Sequence, residues 1–298
     1  MQKKSFPLIL LSCILLTSCT PDFPFNFGDD EPLLSPKRFL NVAHRGASGH
    51  APEHTMPAYE LGKEMNGDYF EIDLQLTKDG HIVAMHDDYI DRISEYSGKV
   101  DSYTLEELKQ IDIGSWFNRK YPQRAKDEYK NQNVLTLEEI IDEFGTDINY
   151  YIEIKKSKDS DKIIEKLLNV LEEYDLIPKR KNSGQVVIQS FYPEYLLEIH
   201  ELEPNIPLVQ LIRYRKRATI SKEKLETIQK YAVGIGLNHR RLSKRYVRKV
   251  REAGLLIHPY TVNKKSRMKK LIRWGVTGIF TDFPDRLDDV LKELKVEE

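Results

Sequence analysis

Residues 233–259 read VGIGLNHRRLSKRYVRKVREAGLLIHP. Val233–Leu237 is a short apolar run, and polar residues follow it. Ser243 stands where a helix N-cap belongs. Tyr246, Val247 and Val250 then recur at three- and four-residue spacing, Gly254 marks a stop, and Leu255–Pro259 turns apolar again. This is one strand–helix–strand unit of the kind that builds parallel sheets.

Outward from it the same alternation repeats. Strand-length runs occur at Phe39–Ala43, Tyr69–Leu74, Tyr150–Ile154, Gln185–Gln189, Pro207–Leu211 and Gly278–Phe280. Helical spacing marks Met56–Met65, Asp161–Tyr174, Pro193–Leu202, Lys222–Tyr231 and Lys264–Trp274. Eight strands separated by helices in a chain of 298 residues predict an α/β protein, a (β/α)8 TIM barrel. An open doubly wound sheet is the alternative, but no glycine-rich phosphate loop follows the first strand. A ninth run, His81–Met85, follows the turn Lys78-Asp79-Gly80. Beyond it, residues 87–148 break the alternation, with two capping-box starts at Thr104/Glu107 and Thr136/Glu139. This region is expected to be an insertion after the second strand.

The N-terminus reads differently. Lys3 and Lys4 precede an apolar run, Phe6–Leu16, too short for a spanning helix. Leu16-Thr17-Ser18-Cys19 resembles a lipobox. Residues 1–18 are expected to be a lipoprotein signal peptide, with Cys19 lipidated. Residues 19–36, rich in proline and acids, are expected to be a disordered tether, and 37–298 the catalytic domain. The location implied is extracytoplasmic, anchored to the membrane. Cys13 and Cys19 are the two cysteines, which excludes a disulfide framework in the body of the chain.

The net charge of −1 names no partner. Between Arg213 and Arg273, however, 20 lysines and arginines face three acids. That is either solvated helix surface or an attraction to a polyanion.

In a barrel, functional groups sit at the C-terminal strand ends. There the sequence places His44-Arg45, Glu71 and Asp73, His86-Asp87, Glu153 and Lys155, Gln189, His258 and Asp282. Glu71 and Asp73, two apart on a strand, leave one face, as do Glu153 and Lys155. Three converging carboxylates suit a hard divalent cation, Ca²⁺ or Mg²⁺. Histidines suit proton transfer, and arginine suits phosphate. Singly these signals are weak: a strand-end histidine is more often structural. Together at one rim they describe a site.

HRGASGHAPEHT, FEIDLQLTKDGHIVAMHDD, YIEIK, HPYTVN and GIFTDFP, in that order from Phe39 to Pro284, resemble the glycerophosphodiester phosphodiesterase family. The resemblance implies a metal-dependent barrel hydrolase that converts glycerophosphodiesters to sn-glycerol 3-phosphate and an alcohol. It implies His44 and His86 as the acid–base pair, Glu71, Asp73 and Glu153 as metal ligands, and Arg45 and Lys155 as phosphate contacts. One position departs: His54 stands where the family usually has asparagine. Substrates would be small or polymeric glycerophosphodiesters, with no nucleic-acid partner. The competing readings are a phosphatidylinositol-type phospholipase C, a lysophospholipase D, or a lipid-anchored protein that binds wall polymer without turnover.

Overall fold

The computed structural model describes residues 31–180 and 184–296. The expected signal peptide, Cys19 and most of the expected tether lie outside the described residues. The strands are β1 (Leu40–Ala43), β2 (Tyr69–Leu76), β3 (Ile82–Ala84), β4 (Asn149–Ile154), β5 (Val186–Ser190), β6 (Leu208–Leu211), β7 (Gly234–Asn238), β8 (Leu256–Tyr260) and β9 (Gly278–Thr281). The helices are α1 (Met56–Glu64), α2 (Leu105–Lys109), α3 (Ser115–Lys120), α4 (Leu137–Phe144), α5 (Ser160–Glu173), α6 (Pro193–Leu202), α7 (Lys222–Ile228), α8 (Lys244–Glu252), α9 (Lys265–Ile272) and α10 (Pro284–Val296).

All strands but β3 run parallel in the order β8-β7-β6-β5-β4-β2-β1-β9. The ends of this sheet meet where Thr277 N–H donates to the Ile257 carbonyl at 3.0 Å and Ile257 N–H to Thr277 Oγ1 at 2.8 Å. The result is a nearly closed eight-stranded TIM barrel. Each strand is covered on both faces, which is why each reads as a continuous apolar run. The eight expected strands are all present. Ser243 caps α8 by accepting from Tyr246 N–H, and Thr104 and Thr136 form complete capping boxes. Helix α10 adds to those read from the sequence; Leu287, Val290 and Leu294, all buried, carry its spacing.

Alternation across each strand decides what enters the barrel. Tyr69 turns inward with Leu40, Val42, Tyr151, Val187 and Phe280, whereas Phe70, Ile72 and Leu74 face the helices. Glu71 and Asp73 have the parity of Tyr69. They therefore point inward too, in the layers nearer the C-terminal mouth. Glu153 stands in the same relation to Tyr151. The β2–β4 register pairs Asp73 with Glu153, and the β4–β5 register pairs Glu153 with Gln189. By the same parity His258 lies within the barrel, fully buried, with Nδ1 3.0 Å from the Tyr151 hydroxyl. Burial pushes its pKa down to about 3, so it is a neutral core histidine rather than a rim group.

Two boundaries differ from the sequence reading. Ile90, Ile93, Leu108, Trp116 and Phe117 of the insertion form a separate apolar cluster together with Val83 and Met85, and with Ala51 and Ala58. Helix α4 instead packs Leu137, Ile140 and Phe144 into the main core, so it is the barrel helix that returns the chain to β4. At the other end of the chain, Leu33 and Leu34 pack against the barrel interior at the N-terminal ends of the strands. The ordered fold thus begins before Lys37.

Candidate active site

A cleft of about 860 Å³ opens at the C-terminal ends of the strands, lined by His44, Arg45, Glu71, His86, Glu153 and Lys155 among others. The loop after β1 shapes its floor. Arg45 (φ +59°) and Gly46 (φ +77°) are both left-handed. A Cβ on Gly46 would lie 2.5 Å from the Ala58 backbone, so only glycine lets the chain pass α1 here. The turn aims Arg45 N–H at Glu71 Oε2, 2.9 Å away. A left-handed arginine costs roughly 1–2 kcal/mol, and its guanidinium offsets this by bonding Glu53 Oε1 at 2.8 Å.

Glu71, Asp73 and Glu153 are buried, with ligand oxygens within 4.8 Å of one another. The sequence suggested three converging carboxylates; the structure partners them unevenly. Asp73 takes His54 Nε2 at 3.0 Å, and lies at ion-pair distance from Lys155 Nζ (3.1 Å) and Arg45 Nε (3.3 Å). Burial opposes its ionisation, but Lys155, the His54 bond and Arg45 together hold its pKa well below the usual carboxylate range. Glu153 bonds Lys155 Nζ at 2.9 Å, yet burial and the Asp73 charge push it up. Among the described residues Glu71 has a backbone N–H but no cationic bond, and burial followed by the Asp73 charge drives its pKa far upward. Inward carboxylates that cannot all ionise alone form an oxygen donor set that fits a hard divalent cation. Arg45 and Lys155, expected to contact phosphate, line the cleft while neutralising this cluster.

The two histidines stand on either side. His44 Nδ1 is 2.7 Å from Asp282 Oδ1, and Asn263 and Ser48 also bond that carboxylate. His86 Nδ1 is 2.6 Å from Asp87 Oδ1. An ionised carboxylate only accepts, so each Nδ1 carries the hydrogen. Nε2 of each ring is then the nitrogen left for chemistry. A chain of ion pairs, Arg45–Glu53–Arg92–Asp87, ties the β1 loop to the base of His86. Glu53 and Arg92 were not singled out in the sequence, and Asp87 was named there at a strand end without a role. Their contacts cross from one loop to another, and no local spacing signals that.

His54 is fully enclosed (2% exposed). Its Nε2 donates to Asp73 Oδ2, and its Nδ1 accepts from the Tyr59 hydroxyl at 2.8 Å. His54→Ala would strand both partners, each in a buried place. We expect a loss of about 2–5 kcal/mol in urea unfolding, with His54→Asn recovering part of it. An unchanged unfolding midpoint for the alanine variant would show that the bridge does not support the fold.

Residues 44–286 match the glycerophosphoryl diester phosphodiesterase family. A glycerophosphodiester phosphodiesterase of Bacillus subtilis is 47% identical over 98% of this chain and 99% of its own length. Another from Caldanaerobacter subterraneus is 30% identical over 85% and 98%. An Oleispira antarctica phosphodiesterase solved in complex with the product sn-glycerol-3-phosphate superposes with a TM-score of 0.73 at 26% identity, covering 84% of this chain and 96% of that one. The chain belongs to the glycerophosphoryl diester phosphodiesterase family of enzymes.

Proposed function

We propose that this enzyme hydrolyses glycerophosphodiesters to sn-glycerol 3-phosphate and an alcohol, with a divalent cation held by Glu71, Asp73 and Glu153, and with His44 and His86 as base and acid. The observation that carries the reading is the pair of histidines, each fixed through Nδ1 by a carboxylate, beside three inward carboxylates in one cleft. A cation bound there, Ca²⁺ in the first instance, would neutralise charge growing on the phosphate oxygens.

The remaining steps belong to side chains. Arg45 and Lys155 orient the phosphate oxygens. His44 Nε2 takes the proton from the attacking oxygen, either the neighbouring glycerol hydroxyl or a water, as that oxygen bonds to phosphorus. The phosphorus–alkoxide bond breaks, and protonated His86 passes its Nε2 proton to the leaving alcohol. On the hydroxyl route a transient cyclic glycerophosphate, visible in ³¹P spectra, is opened by a water that gives its proton to His86 Nε2 while His44 Nε2 returns its proton to the departing glycerol oxygen. Asp282 and Asp87 keep the two rings oriented throughout.

Burial, then the Arg45 charge, disfavours the His44 imidazolium more than Asp282 favours it, so its pKa lies below the ordinary 6.5. The base is therefore already neutral beneath that pH. We expect the acid limb of kcat/KM to fall below pH 6.5 at saturating metal; a limb centred above that value would remove His44 from the role of base.

The deciding experiment incubates purified enzyme with glycerophosphoglycerol, glycerophosphocholine, lysophosphatidylcholine and phosphatidylinositol, with Ca²⁺ or EDTA. Release of sn-glycerol 3-phosphate only with the metal supports the proposal. Cyclic inositol phosphate or lysophosphatidate as the main product would replace it with a lipase reading. The leader residues support a further proposal: Cys19 carries a lipid anchor outside the cytoplasm, detectable by labelled palmitate. Residues 31–36 join the barrel at the end opposite the cleft.

A further inference from the structure

The two histidines are held by unlike means. Asp282, behind His44, is fixed by the neutral donors Asn263 and Ser48. Asp87, behind His86, has no neutral donor among the described residues. Its Oδ1 takes His86 Nδ1 and its Oδ2 takes Arg92 Nε.

Arg92 closes a single 3₁₀ turn, Ile90–Arg92, at the start of the insertion. Ile90 and Ile93, which bracket it, are buried in the apolar cluster there, so its backbone is anchored. Its guanidinium is engaged on both edges and one face. Nη1 and Nη2 donate to Glu53 Oε2 and Oε1, each at 2.7 Å, and Nε donates to Asp87. The Trp116 ring lies against the plane, its centroid 5.7 Å from Cζ. Gln75 fixes the neighbouring backbone, donating to the carbonyls of Met85 (3.0 Å) and Asp87 (2.7 Å).

A rigid plane with donors on two edges can fix two carboxylates at once, which an ammonium cannot. Glu53, 7% exposed, gives that plane a firm seat and also accepts from Arg45. The Asp87 carboxylate is about a third exposed. Held by His86 alone it would turn about its own side-chain bonds, and the imidazole would turn with it. Ion pairs at such exposure add little to stability, so the arrangement is better explained by what it orients.

We infer that Arg92 is a positioning residue for proton delivery: by bridging buried Glu53 to Asp87 it holds the His86 ring with Nε2 toward the leaving-group oxygen in the cleft. The inference rests on the reading of His86 as the acid and extends it to the insertion, which supplies both Arg92 and Trp116. The insertion is then part of the catalytic apparatus and not an appendage of the barrel.

The test uses two esters of sn-glycerol 3-phosphate at saturating Ca²⁺. Glycerophosphoglycerol expels an alkoxide and needs a proton; the p-nitrophenyl ester expels a stable phenolate and does not. They are compared by kcat/KM, which for the aryl ester ends with the irreversible loss of phenolate. Arg92→Lys keeps a cation beside Glu53 and is expected to preserve the unfolding midpoint. It is expected to lower kcat/KM for glycerophosphoglycerol roughly thirtyfold, through kcat, with a loss roughly tenfold smaller on the aryl ester. Arg92→Gln, which removes the charge, should show the same pattern. In an Asp87→Ala background Arg92→Lys should cost nothing further on glycerophosphoglycerol, since Arg92 acts through Asp87.

Equal losses on the two esters would place the effect on Arg45 and the phosphate and overturn the inference. So would glycerophosphoglycerol turnover unaffected by either variant, or losses that add to that of Asp87→Ala. His86→Ala on the same pair separates this inference from the reading beneath it. Equal losses there sink the acid assignment and the role of Arg92 with it. A selective loss for His86→Ala beside an even one for Arg92→Lys removes the role of Arg92 alone.

Discussion

Replacing His44 or His86 with alanine is expected to lower kcat for glycerophosphoglycerol by roughly a hundredfold to ten-thousandfold each. The fold should survive. His86 is about a third exposed and His44 touches the cleft, so neither anchors the apolar core. Each loss should appear in kcat rather than KM, because proton transfer is a feature of the transition state. The double variant should be little worse than the worse single one if the two rings act in one concerted step. Neither loss should disorder the mouth of the barrel. Without His44, Asp282 still bonds Asn263 and Ser48, so the mouth stays ordered. Without His86, Asp87 still bonds Arg92. A variant with unaltered unfolding and near wild-type kcat would refute the acid–base assignment for that ring.

Chelation, or Glu71→Gln, is the second large effect. Removing the cation is expected to cost about a thousandfold or more, since neutralising transition-state charge is worth several kcal/mol and each 1.4 kcal/mol is tenfold. Glu71→Gln should weaken metal binding, and excess Ca²⁺ should restore part of the activity. The same change should not harm the metal-free fold. The folded-state pKa of Glu71 lies well above its ordinary 4.5, so the ionised group works against folding. Its contribution declines as pH rises from 4.5 through the raised folded value. Glutamine removes that dependence and still accepts the Arg45 N–H bond. Metal binding to wild type should release a proton at pH values below the raised folded-state value of Glu71, read by calorimetry in buffers of differing ionisation enthalpy. The expected signature is lower metal affinity together with equal or higher stability. Activity indifferent to EDTA and to Glu71→Gln would exclude a metal role for the triad.

Individual elements show how much was legible beforehand. The βα alternation was readable because buried parallel strands cannot hide their apolar runs and surface helices cannot hide their spacing. Glu71 and Asp73 could be placed on one face from their spacing of two alone. His258 could not be told from a rim histidine, since its burial depends on where β8 stops relative to the barrel mouth. Helix α4 looked like part of an excursion because its sequence carries a good cap and a good apolar stripe but no mark of which core it joins. The role of His54 also stayed open: its partners, Asp73 and Tyr59, are set by the turn after β1 and the packing of α1.

The sequence by itself determined the barrel and placed the candidate reactive side chains toward one rim of it, because periodicity and residue chemistry are local properties of the chain. Only the tertiary structure decided that Glu71, among the described residues, lacks a cationic bond while Asp73 has three basic neighbours. It likewise decided that Asp282 and Asp87 fix the histidine rings, and that Arg92 bridges Asp87 to Glu53. Such contacts join residues from different strands and loops, and their energies depend on distance and burial, which no single stretch of chain encodes.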